Sequence, residues 1–276
     1  MMPTRETLQR ERTDAVLSLS AARLQPAQSS LVEAFGREYF RRLDPDDLLA
    51  RSTEDLLGAM LAHWQFGARR LPGQTLVQVL SPALAEHGWV SRHSVIDIVN
   101  DDMPFLVDTT TMEINRQGLA LHLIVHPIYA VQRDAQGQLV SIRPRSEAAE
   151  APGTGRESWI HIEVDRIIEP LQRADLATGL ERVLGDVRAA VQDWQPMLAQ
   201  LRKAMAELQA AGTAPGGLAG EQRAAQVQES LAFLQWLAED HMTFLGYRCH
   251  DLVTEAGGDA LRLVAGSGLG VLRETA

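Results

Sequence analysis

The sequence is short of several things. Among its 276 residues there is one cysteine, Cys249. No disulfide can form within the chain, which fits a reducing, cytosolic setting. No catalytic-cysteine signature surrounds Cys249, and it reads as a small residue within a strand. The N-terminus, MMPTRETLQRERTDAVLSL, carries charges but no apolar core of signal-peptide length. No run reaches the roughly 18–20 apolar residues of a membrane span. The expectation is a soluble, cytoplasmic chain with no membrane partner. Positive charge is also scarce: 26 Lys and Arg against 36 Asp and Glu leave a net charge of -10. That argues against nucleic acid or an anionic surface as partner.

Catalytic signatures are missing too. There is no P-loop, no G-x-S-x-G, no C-x-x-C and no H-E-x-x-H. Gly266-Ser267-Gly268-Leu269-Gly270 is glycine-rich but does not fit G-x-G-x-x-G. Nothing assembles a nucleophile, a base and an oxyanion donor, so no residue is assigned a catalytic role. No internal repeat of fixed period is present.

What is there is organised around residues 94–133, SVIDIVNDDMPFLVDTTTMEINRQGLALHLIVHPIYAVQR. A strand, Ser94–Val99, runs into the acidic turn Asn100-Asp101-Asp102. Pro104 opens a helix reaching about Asn115, Gly118 ends it, and one long strand follows over Ala120–Arg133. Before this unit, residues 4–70 show apolar residues near helical spacing. Asp44-Pro45-Asp46 marks a helix boundary, and Ser52-Thr53-Glu54-Asp55 resembles a capping box. Leu76–Leu80 reads as a strand.

After the unit, Asp134-Ala135-Gln136-Gly137 is a hairpin turn into Gln138–Ile142. Residues 144–157 read as a surface loop, and Ser158–Arg166 alternates as a strand. Asp175 reads as the N-cap of a long helix, with Pro196 kinking or restarting it. Residues 210–221 have linker composition. A helix over 222–240, a strand over Thr243–Cys249, a turn at Glu255–Asp259 and a last strand Leu261–Ala265 complete the chain. Trp64, Trp194 and Trp236 lie at helical spacing and read as core. A hairpin begun this close to the last residue suggests a fragment of something longer.

Two constellations could carry chemistry. A helix N-terminus after a strand offers backbone N–H groups to an anion, and Asp101 and Asp102 could receive an ammonium group. Asn100, Asp101, Asp102, Met103, Pro104, Phe105 and Leu106 are therefore a candidate effector site for an amino-acid zwitterion. The same residues have a purely structural reading, Asp as N-cap and Pro in the first turn. Separately, His122, Ile124 and His126 share one strand face and Trp159 and His161 another. Were those strands neighbours, the five could form an interface face, or His122, His126 and His161 could converge on a metal. The strand pattern is unlike helical zinc motifs, and no metal is assigned.

The strand–turn–helix–strand unit followed by a strand and a long helix resembles an ACT domain, a βαββαβ module that senses amino acids. Asp102-Met103-Pro104-Phe105-Leu106 matches the Asp-x-Pro-Gly-Leu turn of that family, except that Phe105 stands in the glycine position. A longer likeness runs from about Glu54 to the C-terminus. The stretches IVNDDMPFLVDTTTMEINRQGLALHLIVHPIYAVQRD, ESWIHIEVDR and LAFLQWLAEDHMTFLGYR resemble the N-terminal region of the large bacterial NAD-specific glutamate dehydrogenases.

The resemblance implies an α+β fold. It implies a helical segment over 1–74, an ACT-like βαββαβ domain with an antiparallel sheet and long helices over 75–210, and a further α/β segment beginning over 211–276. It implies a parent enzyme that converts L-glutamate, NAD and water to 2-oxoglutarate, ammonium and NADH in a catalytic domain downstream. This chain would then be a non-catalytic regulatory and assembly region, with NAD needed only by the parent. Its expected partners are the rest of the same polypeptide, further copies in a homo-oligomer, and an amino-acid effector. The competing readings are a ligand-free oligomerisation module and a metal-binding domain.

Overall fold

The structure, a computed structural model, describes residues 4–41, 43–147, 153–212, 217–255 and 257–274. The chain divides into two compact units, Met1–Leu184 and Gly185–Ala276.

The first unit is built on one antiparallel sheet with β6 (Gly155–Val164) at its centre. Along one edge β6 pairs with β2 (Ser94–Asp101), from Ser94↔Val164 to Asp101↔Glu157. Its other edge is shared in succession by β3 (Leu121–Val125) and β4 (Ile128–Arg133). β1 (Leu76–Leu80) lies outside β2, and β5 (Leu139–Pro144) outside β4. The sequence suggested one strand over 120–133. Pro127 lacks an N–H for the ladder, and the chain breaks there into β3 and β4. The Pro127 carbonyl instead accepts from the Trp159 N–H at 3.1 Å.

β2 over Ser94–Asn100 and β6 over Glu157–Val164 are buried on both faces, although β6 alternates polar and apolar residues. One face packs under α1 (Arg5–Ala21), α2 (Pro26–Arg41) and α4 (Thr53–Gly67). Phe35 of α2 centres this layer, with ring centroids 5.2 Å from Tyr129 and 5.0 Å from Trp159. A β-carbon at Gly67 would collide with the Trp159 ring, so α4 must carry glycine there. The opposite face, with Ile96, Ile98, Ile160, Ile162 and Val164, is also fully buried. α6 (Leu106–Arg116) touches β3. It lies close against α7 (Pro170–Gln192), where Gly179 leaves no room for a side chain beside Glu113.

Local chemistry sets the helix starts. Asp44 caps the short α3 (Pro45–Leu49), accepting from the Asp46 N–H at 2.8 Å. Ser52 caps α4, accepting from the Asp55 N–H at 3.1 Å and donating to Asp55 Oδ2 at 2.7 Å. The short α5 (Leu84–His87) follows β1. Two expected starts are corrected. α7 begins at Pro170, and Asp175 lies within it, because proline is well suited to the first position of a helix. α6 begins at Leu106, not at Pro104.

The arrangement is α+β with an antiparallel sheet. Its order differs from βαββαβ: two strands precede α6, and among the described residues no strand after α7 joins this sheet. β1 fills the place beside β2. The boundary expected at residue 74 falls inside the first unit, because helices α1, α2 and α4 and the sheet share one core.

The second unit holds α8 (Trp194–Gly212) and α9 (Gly217–Trp236), which pack together. Two small antiparallel pairs follow, β7 (Gly246–Tyr247) with β10 (Leu269–Gly270), and β8 (His250–Glu255) with β9 (Gly258–Leu263). Pro196 sits in the first turn of α8, as a restart requires. The expected linker over 210–221 is largely helix; residues 213–216 lie outside the described residues, as do 148–152 of the expected loop. The strand expected over 243–249 contracts to β7, and Cys249 lies just beyond it. Trp236, expected in the core, is 47% exposed and stacks on His241 at 4.7 Å. Among the described residues, no helix is long and apolar enough to cross a membrane.

Candidate functional site

Alternation along β6 sends Glu157, Trp159, His161 and Glu163 to the face covered by α2 and α4. All four are buried. Three are ionisable, so each needs a charged or hydrogen-bonded partner.

At the end nearest the turn, buried Arg70 donates to Glu157 Oε1 at 2.7 Å and also pairs with Asp101. Arg133 meets Glu157 with two bonds, 2.7 and 2.8 Å. Asp102 accepts from Ser158 Oγ at 2.8 Å, and Asn100 Oδ1 accepts from Thr75 Oγ1 at 2.9 Å. The candidate effector residues thus have internal partners. Asp101 and Asp102 do not cap α6.

Phe105 stands at that N-cap position with φ 70° and ψ 2°, and makes no side-chain capping bond. This left-handed conformation costs a non-glycine residue roughly 1–2 kcal/mol. The backbone therefore keeps the shape that glycine adopts freely, with a phenylalanine in it. Pro104 and Phe105 are exposed, Met103 is half-buried and Leu106 is buried.

In the middle of the sheet, His161 Nδ1 donates to Asp97 Oδ1 at 2.7 Å, and Gln78 Nε2 donates to Asp97 Oδ2 at 2.9 Å. His63 of α4 places Nδ1 3.6 Å from the same Asp97 oxygen, and its Nε2 lies 3.4 Å from the Ile98 carbonyl. The two imidazoles behave oppositely. Burial pushes His63 down to about 4, because Asp97 offsets only part of that loss. Burial also works against charge on His161, but the bond and charge of Asp97, with help from Glu163, raise it to about 9. Asp97 is held below its usual range: burial opposes its charge, and the two histidines outweigh that. At neutral pH this is a buried imidazolium–carboxylate pair beside a neutral histidine. Tyr39 Oη, buried beside both rings, has no hydrogen-bond partner among the described residues, and its ionisation is pushed well above normal by burial and by Asp97 and Glu163.

His63, Asp97 and His161 place donor atoms within 4.8 Å of one another. A metal there would have to displace the proton that His161 shares with Asp97, a proton held to about pH 9. The donor set fits a charged hydrogen-bond relay better than a resident ion.

At the far end, Glu163 accepts from Arg51 Nη2 at 2.7 Å and lies 3.0 Å from His93 Nδ1. Burial opposes its charge, but His161 and Arg51 lower it to about 2. Outside this pair opens a cleft of about 600 Å³, lined by the start of α4, the loop before β2 and Glu163.

The five residues expected to share an interface face do not share one. Val125 stands opposite His161 and Ile124 opposite Ile162, so Ile124 and His126 lie on the other face from Trp159 and His161. A bulge between Leu121 and Leu123 displaces His122, which reaches Asp165 at 2.8 Å and stacks on His93 at 4.1 Å. Trp159 and His161 are covered by this chain's own helices. His122, His126 and His161 do not converge.

Sequence reasoning missed Arg51, His63, Arg70, His93 and Asp97. His63 lies inside an apolar helical stripe and Asp97 inside an apolar strand. A lone ionisable residue in each of two buried elements is the signal that pairs them.

The chain matches the family described as "Glutamate dehydrogenase, ACT1 domain" over residues 35–180. It is 38% identical over 252 residues to an NAD-specific glutamate dehydrogenase of Halomonas elongata, covering 91% of this chain and 15% of that protein. It is 32% identical to a protein of the same name from Pseudomonas aeruginosa, over 88% of this chain and 14% of the relative. With the Mycobacterium tuberculosis protein of that name it shares 30% identity, over 79% and 12%. The chain thus spans about one-seventh of the length of the curated relatives it matches.

Proposed function

The chain belongs to the glutamate dehydrogenase ACT1-domain family, and from that premise we propose that it is the N-terminal regulatory and assembly region of a larger NAD-dependent glutamate dehydrogenase. The parent would oxidise L-glutamate to 2-oxoglutarate and ammonium with NAD, in the cytoplasm, using residues outside this chain. The observation that carries the reading is the match over 35–180, which takes in the whole sheet, α4 and α6, and parts of α2 and α7. The ionisable groups on the covered face of β6 are each paired with a residue of another element of this chain, as suits a scaffold.

For an effector, the turn 100–106 is a weak receiver of an ammonium group. Asp101 is paired with Arg70, and Asp102 accepts from Ser158. Its helix N-terminus remains the feature that would favour a carboxylate. A second reading, assembly without a ligand, draws on the second unit. Leu252, Leu261, Phe233 and Met242 are large, apolar and exposed there, as expected of surfaces covered in a longer polypeptide or homo-oligomer.

The test compares the parent enzyme with a form lacking this region. Expected is retained NADH formation per active site, with altered oligomeric state by light scattering or a lost response to added amino acids. Unchanged assembly together with an unchanged response would overturn the reading.

A further inference from the structure

We propose that the cleft beside Glu163, and not the turn at 100–106, is the ligand site of this region, and that it takes a small organic carboxylate. The inference rests on the regulatory reading above and adds the site and the ligand class. The cleft lies within the first unit, at the opposite end of β2 from the turn. Its volume of about 600 Å³ is ample for a small metabolite.

Its lining carries two guanidinium groups, Arg51 and Arg92, and three carboxylates, Asp47, Asp55 and Glu163. Arg92 is exposed and makes no hydrogen bond or ion pair among the described residues. Arg51 is committed: Nη2 donates to Glu163, and Nη1 donates to the Asp47 carbonyl and lies 3.6 Å from the Asp47 carboxylate. His93 Nδ1 is engaged with Glu163 at 3.0 Å. The acidic side chains are mostly engaged. Glu163 is shared by Arg51, His93 and His161. Asp55 accepts from Ser52 Oγ and from the Val90 N–H. Asp55 and the Ser52 capping bond already serve the N-terminus of α4.

A planar carboxylate suits the guanidinium of Arg92. Asp47, half-exposed and paired with Arg51 at 3.6 Å, lines the same cleft and is a carboxylate that an ammonium group on the same ligand could address. The unpaired guanidinium of Arg92 in this cleft accommodates a carboxylate of an amino acid or a simple dicarboxylate. Glu163 also gives the cleft a connection inward. The carboxylate that Arg51 and His93 hold is the one facing His161, whose proton is shared with Asp97. An anion that draws on Arg51 and His93 competes with Glu163 for them, and is felt in the core of the sheet.

Calorimetric titration of this chain with succinate, L-glutamate and inorganic phosphate, at concentrations able to detect millimolar binding, tests the proposal. Binding of at least one of the two carboxylates, weakened about tenfold or more in Arg92→Gln, is expected, since a charge-assisted bidentate pair is worth at least that factor. Arg92 is exposed and unpaired, so the variant should fold, and its circular dichroism checks this. No heat with either carboxylate overturns the site. Binding undiminished in Arg92→Gln places the ligand elsewhere and overturns it too. Phosphate binding as tightly as the carboxylates overturns the ligand class. An amino acid that alters parent kinetics yet binds Arg92→Gln normally sinks the cleft and leaves the regulatory reading standing.

Discussion

Two antiparallel arrangements in this chain meet opposite fates. In the first unit, β2 and β6 pair over eight residue pairs and are buried on both faces. In the second, β8 and β9 pair over six, and both strands are largely exposed, with Leu252 at 69% and Leu261 at 70%. Strand sequence alone does not account for the difference. The first sheet has helices on both sides, supplied by this chain. The hairpin lacks such a cover among the described residues, and an isolated two-stranded ribbon is marginal in water. Burial on both faces is also what allows the first sheet to use charge internally. A carboxylate and an imidazolium in that core are strongly coupled, whereas the exposed Arg262–Glu255 pair on the hairpin is screened by solvent.

The sharpest way to break this comparison is Asp97→Ala. It leaves the His161 imidazolium buried without its partner, at an expected cost of about 3–5 kcal/mol. Urea unfolding followed by near-ultraviolet circular dichroism of the Trp159 cluster measures it. A loss below about 1 kcal/mol would mean that the pair is no more coupled than a surface one.

The next effect is in pH. His161 is held at about 9 against an ordinary 6.5, so its contribution is complete below 6.5 and is lost as pH rises through 9. His63, pushed to about 4, contributes fully above 6.5 and is lost as pH falls through 4. Glu163, at about 2 against 4.5, contributes fully above 4.5 and is lost as pH falls through 2. Stability of the first unit should therefore peak near pH 6.5 and fall toward pH 9 by roughly 3 kcal/mol. His161→Gln should flatten the alkaline side. A wild-type profile that is level from 6.5 to 9 would contradict the charged relay.

How much of this was legible follows the same division. The Ser52 and Asp44 caps, β1, β2 and the α6 region could be read, because each is set by residues a few positions apart. The α+β class and the family resemblance were legible for the same reason. The pairing of His63 with Asp97 and His161 was not. It joins a helix to two strands across 34 and 64 positions, and depends on which faces meet. The proposed interface face failed for a related cause. The Leu121/Leu123 bulge and the β3–β6 register, neither visible in the alternation itself, put Ile124 on the face away from His161. The cleft was invisible because Arg51, Arg92 and Glu163 are remote or unremarkable in sequence and line one cleft only when the α3–α4 segment docks beside β6 and the loop before β2.

A smaller effect sharpens the comparison at the turn. Phe105 holds φ 70° and is 46% exposed, so Phe105→Gly removes backbone strain and loses little burial. An increase in stability of about 1 kcal/mol is expected, read as a higher midpoint in urea. A loss of stability would show that the ring contributes more by packing than the left-handed backbone costs.

The smallest effect is expected in the second unit. Leu261→Ser changes a residue whose side chain is mostly in solvent, so the stability of this chain should move by less than about 0.5 kcal/mol. The same change in the parent enzyme separates two accounts of the exposed hairpin. If Leu261 is covered there by the rest of the polypeptide or by another copy, the substitution should weaken assembly, seen as dissociation at higher protein concentration in light scattering. The effect would then follow the loss of a buried leucine, roughly 1.5–3 kcal/mol. If assembly is untouched, the hairpin is a solvated surface ribbon in the parent as well. The contrast with β2 and β6 would then be a property of the folded region itself.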